Sequence, residues 1–244
     1  MKTMAPLLAV LLASSWSKAA AADDVSYAND YENGERPAQA LAYRDVVGRL
    51  EVGYRGVFVT NPGFGPFSKQ DYFSGAALVL SRTLVALSRS SFAIGLGWDY
   101  GSSQATARGD DTSLSVHRVM VPLDGRVHFG PFGYAFVRIA PGVAYERIEL
   151  DDPSAPFPLV KARWLFSTDA SVGYAIPVVP LPARSASGPR VWIQGDAGYS
   201  WVADQRLTFH PQSGGSADSA DGIDLRMSLG LRGAFVRAVA AFSY

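Results

Sequence analysis

The residues able to do covalent or metal chemistry are few. This 244-residue chain has three histidines, His117, His128 and His210, and no cysteine. Without cysteine there is no disulfide, thiolate nucleophile, iron–sulfur cluster or cysteine-based zinc site. Three histidines far apart in sequence do not build a metal centre, so neither a metal nor a cofactor is expected. No P-loop, G-x-S-x-G or H-E-x-x-H motif is present. Gly95 and Gly97 begin a G-x-G run, but Tyr100 stands where the third glycine would fall. Ser115 and His117 lie two apart and would share one face of a strand, which makes them the one nucleophile–base pair to weigh. Arg108-Gly109-Asp110 spells an adhesion tripeptide, in a stretch where Gly and Asp are already explained by turn formation.

A larger set is defined by charge. Arg49, Glu51, Arg55, Asp99, Arg118, Asp124, Arg126, Asp169, Asp196, Arg226 and Arg232 recur on the polar parity of alternating segments, and Arg138 and Glu146 are expected to join them. Guanidinium forks suit carboxylates on neighbouring strands, and charges taken out of water must be paired. These residues are therefore expected to form ion-pair networks on one face of a sheet.

The elements that must position them have period two. Leu50, Val52, Tyr54 and Phe58 oppose Arg49, Glu51, Gly53 and Arg55; Phe92, Ile94, Leu96, Trp98 and Tyr100 oppose Ala93, Gly95, Gly97, Asp99 and Gly101. Val119–Phe129, Trp164–Ile176 and Val191–Trp201 repeat the alternation, which is the signature of strands with one apolar face. Gly75–Leu87 and Gly133–Glu149 are strand-rich but ambiguous, since Arg82 or Arg138 interrupts an apolar row in either reading. In the last stretch Leu225, Met227, Leu229 and Leu231 hold the odd parity, whereas Val236 to Tyr244 hold the even one. A bulge near Gly233 would reconcile them in one strand; a separate short hairpin is the alternative, and it would spoil an even strand count. Long Gly/Pro/Ser/Asp-rich connections (60–73, 102–112, 150–161, 210–222) alternate with short ones, except that 177–189 is long where a short turn is expected. The fold class expected is all-β: an eight-stranded antiparallel up-and-down transmembrane β-barrel, a meander spanning 46–244.

Lys2, the apolar run Ala5–Ala13 and the small-residue end Ala20–Ala22 read as a cleaved secretory signal peptide over 1–22. Residues 23–45 are polar and acidic and read as a disordered periplasmic segment. Net charge is zero, which argues against a nucleic-acid partner. Hydrophobic residues make up 48% and charged ones 18%, yet no mature segment has the long apolar run of a transmembrane helix.

Alternation alone does not say which face is outside. The polar rows are also small, with Gly53, Gly95, Gly97, Ser171, Gly173, Gly198 and Ser200, and would fit a narrow lumen. The bulky rows carry aromatics near strand ends: Tyr54, Phe58, Trp98, Tyr100, Trp164, Phe166, Tyr174, Tyr199 and Trp201, as in membrane-interface girdles. In this pattern the chain resembles the small outer-membrane β-barrels of Gram-negative bacteria, of the OmpA/OmpX type. The resemblance implies outer-membrane lipid as surroundings, a monomer, and recognition of the ending at Phe242 and Tyr244 by the barrel assembly machinery. The paired charges are read as plugging this narrow, porin-like barrel, since eight strands are about filled by their own side chains, and the expected role is non-catalytic, structural or surface-interaction, with four loops facing outward. A narrow channel or solute-binding barrel, a lipid-modifying outer-membrane enzyme and a soluble lipocalin-like carrier are the alternatives. Lipid A deacylases carry a Ser and a His on the outer wall, but with the His first and an Asn after the Ser; Ser115-Val116-His117 departs from that order. Loop 61–73, with Phe64, Phe67, Tyr72 and Phe73, is read either as an exposed contact surface or as residues packed together or extending strand two.

Overall fold

The computed structural model describes residues 48–87, 89–107, 110–129, 132–151, 159–178, 189–209 and 223–244. The signal peptide and polar segment read over 1–45 lie outside these residues, as do Arg108 and Gly109 of the tripeptide and most of the connection 177–189.

The elements in order are β1 (Gly48–Val59), a 3-10 helix (Pro62–Phe67), β2 (Tyr72–Ala86), β3 (Ser90–Ala107), β4 (Asp110–Met120), β5 (Leu123–His128), β6 (Tyr134–Asp151), β7 (Leu159–Pro177), β8 (Arg190–Val202), β9 (Gln205–Phe209), β10 (Ile223–Leu229) and β11 (Gly233–Ser243). Every pairing is antiparallel, β8 pairs with β11 past the β9–β10 hairpin, and β11 pairs with β1, so the sheet closes. The result is an eight-stranded antiparallel up-and-down barrel in which β4 and β5 share one position. Their register against β3 is continuous: Gly97 faces Met120 and Ile94 faces Leu123. The ladder lapses at Val121–Pro122 because proline has no N–H to donate. Pro122 still accepts from Gly95 N at 2.9 Å, and Val121 N donates to Pro141 O at 2.8 Å.

The barrel departs from the sequence reading in two places. β3 runs on to Ala107 and β4 starts at Asp110, so most of 102–112 is a paired extension and not a long loop. Ser102, Gln104, Thr106, Ser113 and Ser115 are polar on both strands, which hides the extension from any hydropathy pattern. The second departure concerns the ending. Leu225–Leu229 belongs to β10, which pairs with β9 in a separate two-stranded sheet, and the eighth barrel strand is β11 alone. Residues 230–232 break the chain between them, so the parity change reflects two elements and not a bulged single strand. The even count survives because the hairpin stands apart from the ring.

Parity is resolved in the ambiguous strands. In β2, Ala77, Val79 and Ser81 are buried, while Leu78 and Arg82 are exposed; in β6, Arg138, Ala140, Ala144 and Glu146 are buried, while Val137 and Ile139 are exposed. Among the described glycines only Gly133 has a positive φ (113°). It closes the turn into β6, accepting from Phe129 N at 2.9 Å, in a conformation that costs glycine little.

Candidate functional site

Along β1 from its first residue, the inward side chains are Arg49, Glu51, Arg55, Val57 and Val59, so charge gives way to apolar packing from one end of the barrel to the other. Three layers follow inside the ring.

The middle layer is ionic. Arg138 on β6 faces β1 across the ring: its Nη1 and Nη2 donate to the two Glu51 oxygens at 3.0 Å each, and its Nε and Nη2 donate to Asp124 at 2.5 and 2.8 Å. Arg126 Nη2 shares Asp124 at 2.9 Å. Arg49 Nε lies 3.2 Å from Glu51, while its Nη2 donates to Gln194 Oε1 at 2.6 Å and its Nη1 to the Tyr134 hydroxyl. Nearer the other end, Arg118 bridges Asp99 at 2.7 Å and Asp169 at 2.9 and 2.7 Å, and donates to Ser200 Oγ at 3.0 Å. Arg55 reaches the same Asp169 at 3.0 Å and lies 3.7 Å from Asp99. Arg237 makes a two-pronged pair with Asp196 on the adjacent strand at 2.9 and 3.0 Å.

Arg49, Arg55, Arg118, Arg126, Arg138 and Arg237 are thus buried with Glu51, Asp99, Asp124, Glu146, Asp169 and Asp196. Six positive and six negative groups leave the described interior formally neutral, as burial of ions requires. Two expected members are elsewhere. Arg232 sits in the break before β11, its side chain 42% exposed and 3.7 Å from an equally exposed Asp204. Arg226 lies on β10, outside the ring, and only its backbone is described. Both were assigned by extending one parity through a segment that is two elements. Arg237 takes the interior place instead, and its signal was in the sequence: it stands on the row opposite Val236, Ala238 and Ala240. The inward Tyr134, Trp192 and Gln194 carry no charge, so charge patterning does not mark them.

Both ends of this layer are covered. On one side the 3-10 helix folds inward over the mouth. Asn61 caps it, accepting from Gly63 N at 2.8 Å, and prolines at its start and inside preset its backbone. Phe64 and Phe67, three residues apart and therefore on one side of a 3-10 turn, are fully buried among Val57, Leu114, Ile148, Leu229 and Phe235. Ser103 Oγ donates to Phe67 O at 2.6 Å and Thr112 Oγ1 to Pro66 O at 2.5 Å, tying the lid to β3 and β4. Of the two readings of this loop, packing prevails for Phe64, Phe67 and Phe73; Tyr72 points outward, its ring 5.3 Å from Phe58. On the other side Tyr134, Phe136 and Trp192 form a floor, with Tyr134 and Trp192 edge to face at 5.5 Å and the Arg49 guanidinium over both rings at 5.2 and 5.6 Å. His128 joins the floor, 5.4 Å from Tyr134, and its Nε2 meets Ser91 Oγ at 2.9 Å, a contact with no sequence motif behind it.

The outer wall has the opposite character. Tyr54, Phe58, Trp98, Tyr100, Trp164, Phe166, Tyr174, Tyr199 and Trp201 all point outward and are exposed, with Trp164 at 65%. Trp98 and Tyr100 stack at 6.3 Å, Tyr145 and Trp164 meet at 5.1 Å, and Phe166 and Trp201 at 5.8 Å, forming an aromatic belt. Phe129, Tyr174, Phe242 and Tyr244 mark a second belt towards the short turns. Between them lie Val52, Leu78, Ile94, Val119, Val137, Ile139, Val172, Ile193 and Val236. Ser115 and His117 share this face, but the His117 ring packs 4.6 Å from Tyr100, inside the belt.

No protein-family model matches the chain, and no curated protein matches it. Among solved structures it is similar to Ail, the attachment invasion locus protein of Yersinia pestis, whose crystal structure is in complex with the heparin analogue sucrose octasulfate. The two chains are 10% identical over 80% of this chain and 96% of that one, with a TM-score of 0.41.

Proposed function

We propose that this chain is a bacterial outer-membrane β-barrel with a closed, ion-paired lumen, acting as a structural or surface-interaction protein and not as a pore or an enzyme. One observation carries the reading: the polarity of the barrel is inverted. The middle of the interior holds six arginines and six carboxylates between an apolar lid cluster and an aromatic floor, while the exposed wall is valine, isoleucine, leucine and aromatics.

In water such a wall would be a contiguous apolar patch far larger than soluble monomers expose. In lipid it is the favourable surface, and closure of the sheet leaves no backbone group unpaired at an edge. The dimensions agree. From Leu50 to Phe58 the outward row advances roughly 20 Å along the barrel axis, at ~3.3 Å per residue and ~40° tilt, close to the ~25 Å apolar band of outer-membrane barrels. Arg82 lies at the short-turn end, and Arg147, Glu149 and Asp151 beyond the belt at the other, where headgroups and water begin. A lipocalin-like carrier would need an apolar cavity where Arg118 and Arg138 stand. A channel would need a path past Phe64 and Phe67 at one end and Tyr134 and Trp192 at the other.

Heat-modifiability tests the membrane reading. Protein extracted from membranes with a mild detergent should migrate faster on a gel before boiling than after it. A chain found in the soluble fraction with no such shift overturns the proposal. Planar-bilayer recording tests the closed lumen: insertion without unitary conductance is expected, and stable single-channel steps would replace this reading with the channel. Unchanged lipid A masses in a host carrying Ser115→Ala are expected; a shift would reinstate the enzyme.

A further inference from the structure

The outer wall is not uniformly filled. Across β5, β6, β7 and β8 a groove of about 760 Å³ is cut into it, and its lining is predominantly apolar. The register explains why. Gly125 and Ala135 on the first two strands and Gly195 and Ala197 on the last are outward positions with little or no side chain, while Val137 and Tyr174 stand up beside them. A Cβ built on Gly125 meets nothing within 4 Å, and one on Gly195 meets only Arg237 O at 4.0 Å. These two glycines therefore serve no close approach of backbone. Gly198, three residues on and facing inward, is different: a Cβ there would lie 2.0 Å from Ala170 O.

We propose that this groove seats one acyl chain of a membrane lipid. The inference rests on the membrane reading above, since only a wall surrounded by lipid offers a chain to fill it. The groove opens on the outer wall beside Val127, Val137 and Val172, and the two charged residues that also line it, Asp196 and Arg237, are paired with each other. Its volume lies within the range of small-ligand sites, ~300–1,000 Å³. Left empty, its lining would forfeit dispersion contacts that a flexible methylene chain supplies. Gly125 and Val137 flank Asp124 and Arg138 along their strands and pair with one another, which places the groove in the half of the wall nearer the short turns. The lipid held is thus one from the leaflet on that side. Tyr174, whose hydroxyl donates to Phe132 O at 3.0 Å, closes the end towards the second aromatic belt.

The test is native mass spectrometry of the full chain released from non-ionic detergent micelles after incubation with dimyristoylphosphatidylethanolamine. The wild-type barrel should retain one phospholipid through delipidating washes. Gly195→Phe fills the groove from an open position and should reduce retention at least tenfold, with the heat shift intact; Gly125→Leu should do the same from the other end. Ala76→Phe, on the outer face of β2 across the ring, should leave retention unchanged. Equal retention by wild type and both groove variants overturns the proposal, as does no retained lipid in the wild type. A dimer that Gly195→Phe abolishes would assign the groove to a second copy of the chain and overturn it too. Loss of the heat shift in the wild type would instead refute the membrane reading, so the two failures are distinguishable.

Discussion

Arg138 is the side chain whose removal tests the interior most directly. Its guanidinium is 2% exposed and makes four charge-assisted hydrogen bonds, two to Glu51 across the ring and two to Asp124. Taken singly, such bonds contribute about 1.5–3 kcal/mol each, and summing them would overstate the loss. Glu51 keeps Arg49 at 3.2 Å and Asp124 keeps Arg126 at 2.9 Å, so neither carboxylate is stranded outright. What Arg138→Met leaves is an interior with one more negative than positive charge, and breaking a buried pair in this way costs about 3–5 kcal/mol. The assay is urea unfolding of the refolded protein in detergent micelles, followed by gel shift and tryptophan fluorescence. Arg232→Met is the control, because its exposed pair at 3.7 Å contributes no more than ~1 kcal/mol. Arg138→Met with Glu51→Gln restores the charge balance and should recover part of the loss. A cost below about 1 kcal/mol for Arg138→Met, indistinguishable from Arg232→Met, would refute the claim that paired charges hold this lumen together.

Other positions separate the remaining elements. The chain has no native cysteine, so Val116→Cys, beneath the lid, is a clean reporter. It should resist a membrane-impermeant maleimide in the folded barrel and react once Phe64→Ala and Phe67→Ala remove the buried rings, each worth about 3–5 kcal/mol of packing. Gly198→Val should prevent assembly and abolish the heat shift, since the backbone oxygen of Ala170 cannot yield; Gly195→Ala should assemble normally. Asp169→Asn, which weakens both Arg55 and Arg118, should lower the unfolding midpoint by more than Glu149→Gln at the exposed Arg147 pair, measured in the same urea titration.

Parity made much of the barrel legible. In β1, β3, β7 and β8 the apolar row is unbroken enough that period two alone separates the faces, and Gly53, Gly97 and Ser171 betray the crowded side by size. What escaped has identifiable physical causes. The extension of β3 to Ala107 lies beyond the aromatic belt, where the outward residues Ser102, Gln104 and Thr106 are polar and the inner face is tied to the lid at Ser103 and Thr112, so no apolar row marks it. Arg226 and Arg232 were misplaced because the period continues through β10 while its phase does not pass the break at 230–232. The lid is a tertiary event: Asn61, Pro62 and Pro66 announce a capped turn, but only the interior behind Val57 and Leu114 decides that Phe64 and Phe67 turn into it. The ends of Arg138's bonds were equally invisible, since no local pattern pairs β1 with β6 across a ring.

The ionic interior has a further consequence for how the chain finds its register. A strand apolar on both faces could slip by one residue at little cost in lipid, because either set of side chains would be acceptable on either side. Here a slip turns a charged row outward. On the proposed membrane reading an arginine turned outward costs about 2–4 kcal/mol at the bilayer midplane and less towards the interfaces, and a slip of β1 would turn Arg49, Glu51 and Arg55 outward together. The correct register instead brings Glu51 to Arg138 and Arg55 to Asp169, pairs that span strands not adjacent in the sheet. Neighbour-to-neighbour hydrogen bonds fix each hairpin, whereas these cross-lumen pairs are satisfied only when the ring has closed with all its strands in phase. On the proposed membrane reading, these charges thereby make the closed barrel the arrangement in which none of them faces lipid.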